Sequence, residues 1–215
     1  MDIRKTLEHT LLKPEATTEQ IVKLCQEAKE NELGGVCVNC CHVALAAKEL
    51  KCTEVKVVTV VGFPLGADKS ETKALAARLA VEEGADEVDM VINVGALKDK
   101  NYELVEKDIH AVVAASAGHK VKVIIEACLL TDEEKVKACE LIAKAGADFV
   151  KTSTGFSKGG ATVEDVKLLA GEAAKYGLGV KAAGGIRNLQ TTKEMLAAGA
   201  NRIGTSNGAA VAAEL

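Results

Sequence analysis

Aromatic residues are scarce in this chain: three phenylalanines, two tyrosines and no tryptophan make up 2% of 215 residues. A surface that stacks bases needs more rings than that. A formal net charge of −4 also argues against a phosphate-neutralising nucleic-acid face. Proline is nearly absent, with two residues, so long disordered linkers are not expected. No stretch approaches the ~18 consecutive apolar residues of a membrane span. The opening MDIRKTLEHT has no apolar run of the secretory kind.

Aliphatic residues, by contrast, are plentiful. Hydrophobic residues reach 48% and charged residues 27%, an ordinary balance for a soluble globular protein. The length fits one domain, 1–215, with a substantial core. Seven cysteines occur: Cys25, Cys37, Cys40, Cys41, Cys52, Cys128 and Cys139. Their number is odd, their spacing is irregular and no export signal precedes them. Reduced thiols in the cytoplasm are the simplest reading.

Apolar β-branched runs alternate with helical patterns. Strands are expected at GGVCV (34–38), VKVVTVV (55–61), DEVDMVINV (86–94), KVKVIIEA (120–127), DFVKTST (148–154), GVKAAG (179–184) and NRIGTS (201–206). Several are apolar on both faces, as in a parallel sheet covered on both sides. An eighth is expected at LEHTL (7–11). Between them, Ile21, Leu24, Cys25 and Ala28 follow the i, i+3, i+4, i+7 helical spacing. Val136, Cys139 and Ile142 or Ala143 repeat it. Thr17 with Gln20 and Thr131 with Glu134 form candidate capping boxes. Gly34, Gly84, Gly146 and Gly199 are candidate left-handed helix ends. GADEV (84–88), GADFV (146–150) and GANRI (199–203) echo one another, as convergent helix-to-strand loops would. Eight strand–helix units average about 27 residues each, compact for an α/β (β/α)₈ TIM barrel but within its range. A doubly wound open sheet is the alternative.

Polar residues stand where the apolar strands end: Asp89 in EVDMVIN, Lys151 opening KTSTGF, Lys181 opening KAAGGIR, and Ser206 closing IGTS. In a barrel the C-terminal strand ends converge on one pocket. A lysine in a buried strand is costly unless it reaches a carboxylate or a polar cavity. Two lysines on adjacent strands repel, and burial adds to that repulsion. Both effects favour a neutral amine, the form a Schiff-base nucleophile requires. Asp89 fits either a salt bridge to a lysine or a proton relay, and the two roles are compatible. Gly184 with Gly185, and Gly204 to Gly208, are candidate anion cradles after the last two strands. CVNCC (37–41) followed by His42 admits a zinc reading, but no second paired-ligand motif follows at finger or ribbon spacing. Ordinary buried or pocket-lining thiols are therefore expected, with no metal. His110 and His119 are expected at the surface. No Ser/His/Asp order, Walker motif or dinucleotide fingerprint occurs.

The segments HTLLKPEAT (9–17), VGFPLG (61–66), GADEVDMVINVGAL (84–97), KVIIEACLLT (122–131), GADFVKTSTGF (146–156), VKAAGGIR (180–187) and RIGTS (202–206) together resemble the deoxyribose-phosphate aldolases. The resemblance runs over nearly the whole chain, and KTSTGF with KAAGGIR is its most specific part. It implies a metal-free, cofactor-free class I aldolase. Such an enzyme reversibly cleaves 2-deoxy-D-ribose 5-phosphate to glyceraldehyde 3-phosphate and acetaldehyde, in a cytoplasmic homo-oligomer, a dimer or tetramer. It also implies Lys151 as the Schiff-base lysine and Lys181 as the second lysine that lowers its pKa. Asp89 is implied as proton relay with Lys181, through water and Thr154. Gly155, Gly184, Gly185 and Ser206 match phosphate-binding positions. Asn207 stands where some members have a second serine, and Cys37 matches a thiol bordering the pocket. Glu8 stands where many members have aspartate, one methylene shorter, in contact with a substrate hydroxyl.

The chain stops at VAAEL (211–215), without the longer tail through which some members bring a terminal tyrosine to the site. Slow exchange of the acetaldehyde methyl protons is the corresponding expectation. Two other functions fit the same residues: a Schiff-base aldolase for another phosphorylated sugar, and a non-catalytic barrel that binds phosphorylated metabolites. Lys151, Lys181 and Asp89 weigh against the second, since a silent barrel has no need for three costly polar groups.

Overall fold

The computed structural model describes residues 2–215. All eight apolar runs become strands: β1 (Leu7–Leu11), β2 (Gly35–Val38), β3 (Lys56–Val61), β4 (Glu87–Val91), β5 (Lys120–Ile124), β6 (Phe149–Lys151), β7 (Gly179–Ala183) and β8 (Arg202–Thr205). They pair in parallel in sequence order and close into a barrel. The closing seam sets Leu7 opposite Ile203 and Glu8 opposite Gly204. Closure rules out the open doubly wound sheet and establishes the (β/α)₈ architecture. LEHTL is a strand at its expected bounds, whereas the other strands are shorter than their apolar runs. DFVKTST, for example, keeps only Phe149–Lys151 in the ladder, because the residues after Lys151 turn away to build a loop.

The helices are α1 (Thr18–Glu30), α2 (Val43–Glu49), α3 (Ser70–Glu82), α4 (Val94–Lys98), α5 (Tyr102–Ala115), α6 (Asp132–Lys144), α7 (Val163–Ala174), α8 (Leu189–Ala197) and α9 (Gly208–Ala213). Both expected capping boxes form, Thr17 with Gln20 and Thr131 with Glu134. Helix α1 buries Ile21, Leu24, Cys25 and Ala28, as their spacing requires. The buried face of α6 is rotated from expectation: Lys135, Ala138, Cys139 and Ile142 are inside, and Val136 is only half-buried. Lys135 is held there by Asp165 of α7, 2.6 Å away. Val94, read as the end of a strand, instead opens α4, because the Asn93 side chain caps the Ala96 N–H at 3.0 Å. No helix among the described residues is long and apolar enough to cross a membrane.

The echoed loops turn out to be a register device. Gly84, Gly146 and Gly199 all take positive φ. The alanine after each donates back into the preceding helix, to Ala80, Ile142 and Met195. The next residue, Asp86, Asp148 or Asn201, then grips the preceding strand twice. Its N–H donates to the carbonyl of Val57, Val121 or Val180, and its side chain accepts the N–H of that same valine at 2.8, 2.9 and 2.8 Å. The loop before β2 has the same backbone course, with Leu33 N–H on Ala28 and Gly34 N–H on Arg4. There the left-handed residue is Glu32, at φ 51°, and not Gly34. Gly34 is required for a different reason: a Cβ there would collide with the Lys5 carbonyl.

Alternate strand residues face outward, where Val36, Val57, Val88, Val121, Val150, Val180 and Ile203 pack under the helices. The inward face is divided. One part is apolar, with Leu12, Cys37, Val58 and Val60 clustered beside Phe63. The other carries Glu8, Glu87, Asp89, Lys122, Lys151 and Lys181, all buried, together with half-buried Arg202.

Candidate active site

Inward-facing charges are tolerable only in pairs, and here they form one network. Asp89 of β4 lies at its centre. Its Oδ1 accepts from Lys122 Nζ at 2.8 Å, and its Oδ2 from Lys151 at 2.8 Å and Lys181 at 2.6 Å. Lys181 also contacts Glu8. Lys122 reaches Glu87 at 2.6 Å. Arg202 bridges Glu8 at 3.2 Å and Glu87 at 3.0 Å. Lys151 and Lys181 stand opposite each other in the β6–β7 register, as their places in the sequence suggest.

The two lysines differ electrostatically. Burial, reinforced by the Lys181 charge, brings the Lys151 amine below its ordinary value despite its contact with Asp89. Burial also opposes the charge on Lys181, but Asp89 and Glu8 outweigh it and hold that amine above its ordinary value. Lys122 is likewise raised, since Asp89, Glu8 and Glu87 overcome its burial. Asp89 is buried too, yet the three lysines keep its carboxyl well below the usual range. The shift toward a neutral amine thus falls on Lys151 and not on Lys181, and burial contributes more to it than repulsion.

Lys151 opens onto a cavity of about 290 Å³ at the C-terminal ends of the strands. Thr154, Gly155, Gly184, Gly185 and Ser206 line it with Lys151, and Lys13 and Arg187 add two exposed cations. The β6 and β7 loops meet backbone to backbone: the Ala161 N–H donates to Gly184 O at 3.0 Å, and a Cβ on Gly160 would strike that carbonyl. Among the described residues, the N–H groups of Gly155, Gly184, Gly185 and Ser206 have no protein acceptor, which leaves them available to an anion.

Four residues sit differently from expectation. Glu8 is fully buried against Lys181 and Arg202, away from the cavity wall, because its strand position points inward below the cavity. Cys37 also faces the barrel interior, in the apolar cluster, and burial pushes its thiol up to about 11. Asn207 turns away, its amide donating to Arg187 O at 3.1 Å. Thr154 meets Glu126 instead of Asp89: its hydroxyl donates to Glu126 Oε2 and its N–H to Oε1 at 3.3 Å.

Sequence reasoning missed Lys122 and Glu126. Both lie in the run KVKVIIEA, on alternate positions with Ile124, so period-two spacing was the signal available for them. Cys40 Sγ turns to Val60 O at 3.0 Å, and Cys41 and Cys52 are exposed. No group of three or more His, Cys, Asp or Glu side chains is placed to hold a metal among the described residues. His110 and His119 are exposed. Tyr102 lies on α5 and Tyr176 just past α7.

Comparisons with known proteins agree with this geometry. The model of the DeoC/LacD aldolase family matches residues 3–212. A deoxyribose-phosphate aldolase of Clostridium tetani is 58% identical over 215 residues, covering 100% of this chain and 99% of that relative. Among solved structures, an aldolase designated QR15 superposes with a TM-score of 0.95 at 42% identity, over 100% of this chain and 96% of that one. The deoxyribose phosphate aldolase of Aeropyrum pernix, described as a unique tetramer, gives 0.92 at 33% identity, over 99% and 90%. The closed barrel, its buried lysine network and these matches together place the chain in the DeoC/LacD family of aldolases.

Proposed function

We propose that this chain reversibly cleaves 2-deoxy-D-ribose 5-phosphate into glyceraldehyde 3-phosphate and acetaldehyde through a Schiff base on Lys151, within a single domain spanning 1–215. The observation that carries the reading is the split between two neighbouring lysines. Lys151, at the cavity, has a lowered pKa, and Lys181, behind it, a raised one. A nucleophilic amine must be neutral to attack a carbonyl, and only Lys151 combines that tendency with access.

In the cleavage direction Lys151 condenses with C1 of the open-chain sugar. The iminium withdraws electrons from C2, so the C2–C3 bond breaks as the C3 hydroxyl becomes a carbonyl. The enamine left on Lys151 takes a proton at its terminal carbon and is hydrolysed to acetaldehyde. Asp89, held ionised by Lys122 and Lys181, holds the Lys151 amine in place and exchanges protons with Lys181. The free N–H groups at Gly155, Gly184, Gly185 and Ser206 suit the phosphate, whose binding energy orients the reacting carbons. No metal is needed, because the iminium is itself the electron sink. We also propose a cytoplasmic homo-oligomer. The tetrameric A. pernix relative and the exposed Leu65, Leu75 and Leu79 support association.

The test is covalent trapping. Acetaldehyde with borohydride should leave a reduced two-carbon adduct on Lys151, mapped by peptide mass spectrometry. A stable adduct found chiefly on another lysine overturns the assignment.

A further inference from the structure

Asp89, Lys122 and Lys181 have no exposed surface, and Asp89 reaches the cavity only through Lys151. A proton leaving the substrate farther along the cavity therefore needs another route to water. Glu126 occupies a place suited to this. It is buried, takes the left-handed conformation at φ 51° and forms no ion pair among the described residues. Such a conformation in a non-glycine residue persists only where its surroundings enforce it. Here the flanking N–H groups do so: Ile125 donates to Lys151 O at 3.0 Å and Ala127 to Thr152 O at 2.8 Å. The bend aims the Glu126 carboxylate at Thr154, on the loop that follows Lys151.

The hydrogen bonds of Thr154 leave its hydroxyl one free function. Its proton goes to Glu126, and it accepts the Phe156 N–H at 3.0 Å. A hydroxyl has one proton and two lone pairs, so toward the cavity Thr154 can only accept. On its far side, Glu126 and Thr154 border a second, smaller cavity of about 120 Å³, shared with Pro64, Leu65, Leu129 and Phe156. That space is large enough for water.

We infer that Glu126, acting through the Thr154 hydroxyl, takes the proton of the substrate C3 hydroxyl during carbon–carbon cleavage and passes it to water in the side cavity. The inference rests on the Schiff-base reading of Lys151. In the step, the C3 hydroxyl gives its proton to Thr154 Oγ1 as Thr154 gives its own to the Glu126 carboxylate. The O–H pair becomes the carbonyl π bond. The C2–C3 pair becomes the enamine double bond, and the iminium π pair returns to the Lys151 nitrogen. Glu126 then loses its proton to water, and aldol synthesis runs the same transfers in reverse. Glu126 touches no substrate atom; it is a positioning residue that holds a proton.

The test compares the wild-type chain with Glu126→Gln, which keeps the size and an acceptor for Thr154 but takes no proton. Loss of general base assistance should lower kcat for 2-deoxyribose 5-phosphate cleavage by ~10²-fold or more. KM should stay within about two-fold, as expected for an interaction specific to the transition state. Acetaldehyde has no C3 hydroxyl, so borohydride trapping of it on Lys151 should proceed at close to the wild-type rate. Thr154→Val should lower kcat for cleavage likewise, and it serves as the variant to read if Glu126→Gln does not fold. The double variant should be no slower than the slower single one. A wild-type kcat in Glu126→Gln, or trapping that falls as far as cleavage, overturns the inference. Failure of the wild-type chain itself to trap acetaldehyde is a separate result, and it overturns the Schiff-base reading together with this one.

Discussion

A single lysine side chain takes opposite protonation tendencies at two adjacent positions of this barrel. Lys181 has two carboxylates, Glu8 and Asp89, and its pKa rises. Lys151 has only Asp89, which it shares with two other lysines, and burial prevails. Replacing Lys181 with leucine removes a repelling charge and also releases Asp89 to serve Lys151 more fully. Both changes raise the Lys151 pKa. In Lys181→Leu the acidic limb of the kcat/KM profile should therefore move to higher pH. An unmoved limb in a pH–rate measurement would mean that burial alone keeps Lys151 neutral. At this scale the sequence was informative where a polar residue interrupted an apolar run, as Asp89, Lys151 and Lys181 do. It hid Lys122 and Glu126, whose run reads first as a strand covered on both sides. It also misdirected Glu8, because a motif position does not reveal which carboxylate the nearest lysine will capture.

Among the elements, the Gly-Ala-Asx loops show how a short sequence echo sets strand register. Asp148 and Asn201 are exposed, yet each holds the second residue of a neighbouring strand by two hydrogen bonds. Alanine at either position should cost ~1 kcal/mol, the net value of one such bond, read as a lowered urea midpoint with an unchanged m-value. A cost near zero would mean that the backbone half of the clamp is sufficient. The echo was legible as a loop pattern, but its purpose was not. The partners Val57, Val121 and Val180 lie 29, 27 and 21 residues earlier, and local patterning carries no information at that range. Strand number was legible because apolar runs repeat along the chain, whereas strand order was not, since an open doubly wound sheet fits the same runs. The C-terminal strand limits were not, since the residues that leave the ladder there, such as Thr152 and Ser153, suit a strand equally well.

For the molecule as a whole, the charged part of the barrel interior is structural core and, on the Schiff-base reading, reaction centre as well. Lys122 is its least conspicuous member, with no exposed side chain and contacts to Asp89 at 2.8 Å and Glu87 at 2.6 Å. Lys122→Met would take one cation from two buried carboxylates, leaving Asp89 to Lys151 and Lys181 and Glu87 to Arg202, and should cost up to ~3–5 kcal/mol in urea unfolding. The pH dependence has a definite sign. Asp89 and Glu87 have depressed pKa values in the fold, so the stability they contribute is full above the ordinary carboxylate range and disappears as pH falls through the depressed values. Without Lys122 those values rise, and the acid-unfolding midpoint should move to higher pH. An unshifted midpoint would show that Lys181 and Arg202 already suffice. The divided interior has a further consequence for catalysis. Whenever Lys151 is neutral, the carboxylates of Glu8, Glu87 and Asp89 are matched one for one by Lys122, Lys181 and Arg202. On the Schiff-base reading, condensation then adds a lone positive charge to a buried compartment already at electrical balance. The barrel acts as a small capacitor that iminium formation charges and enamine formation discharges, so cleavage of the carbon–carbon bond is also the step that restores neutrality.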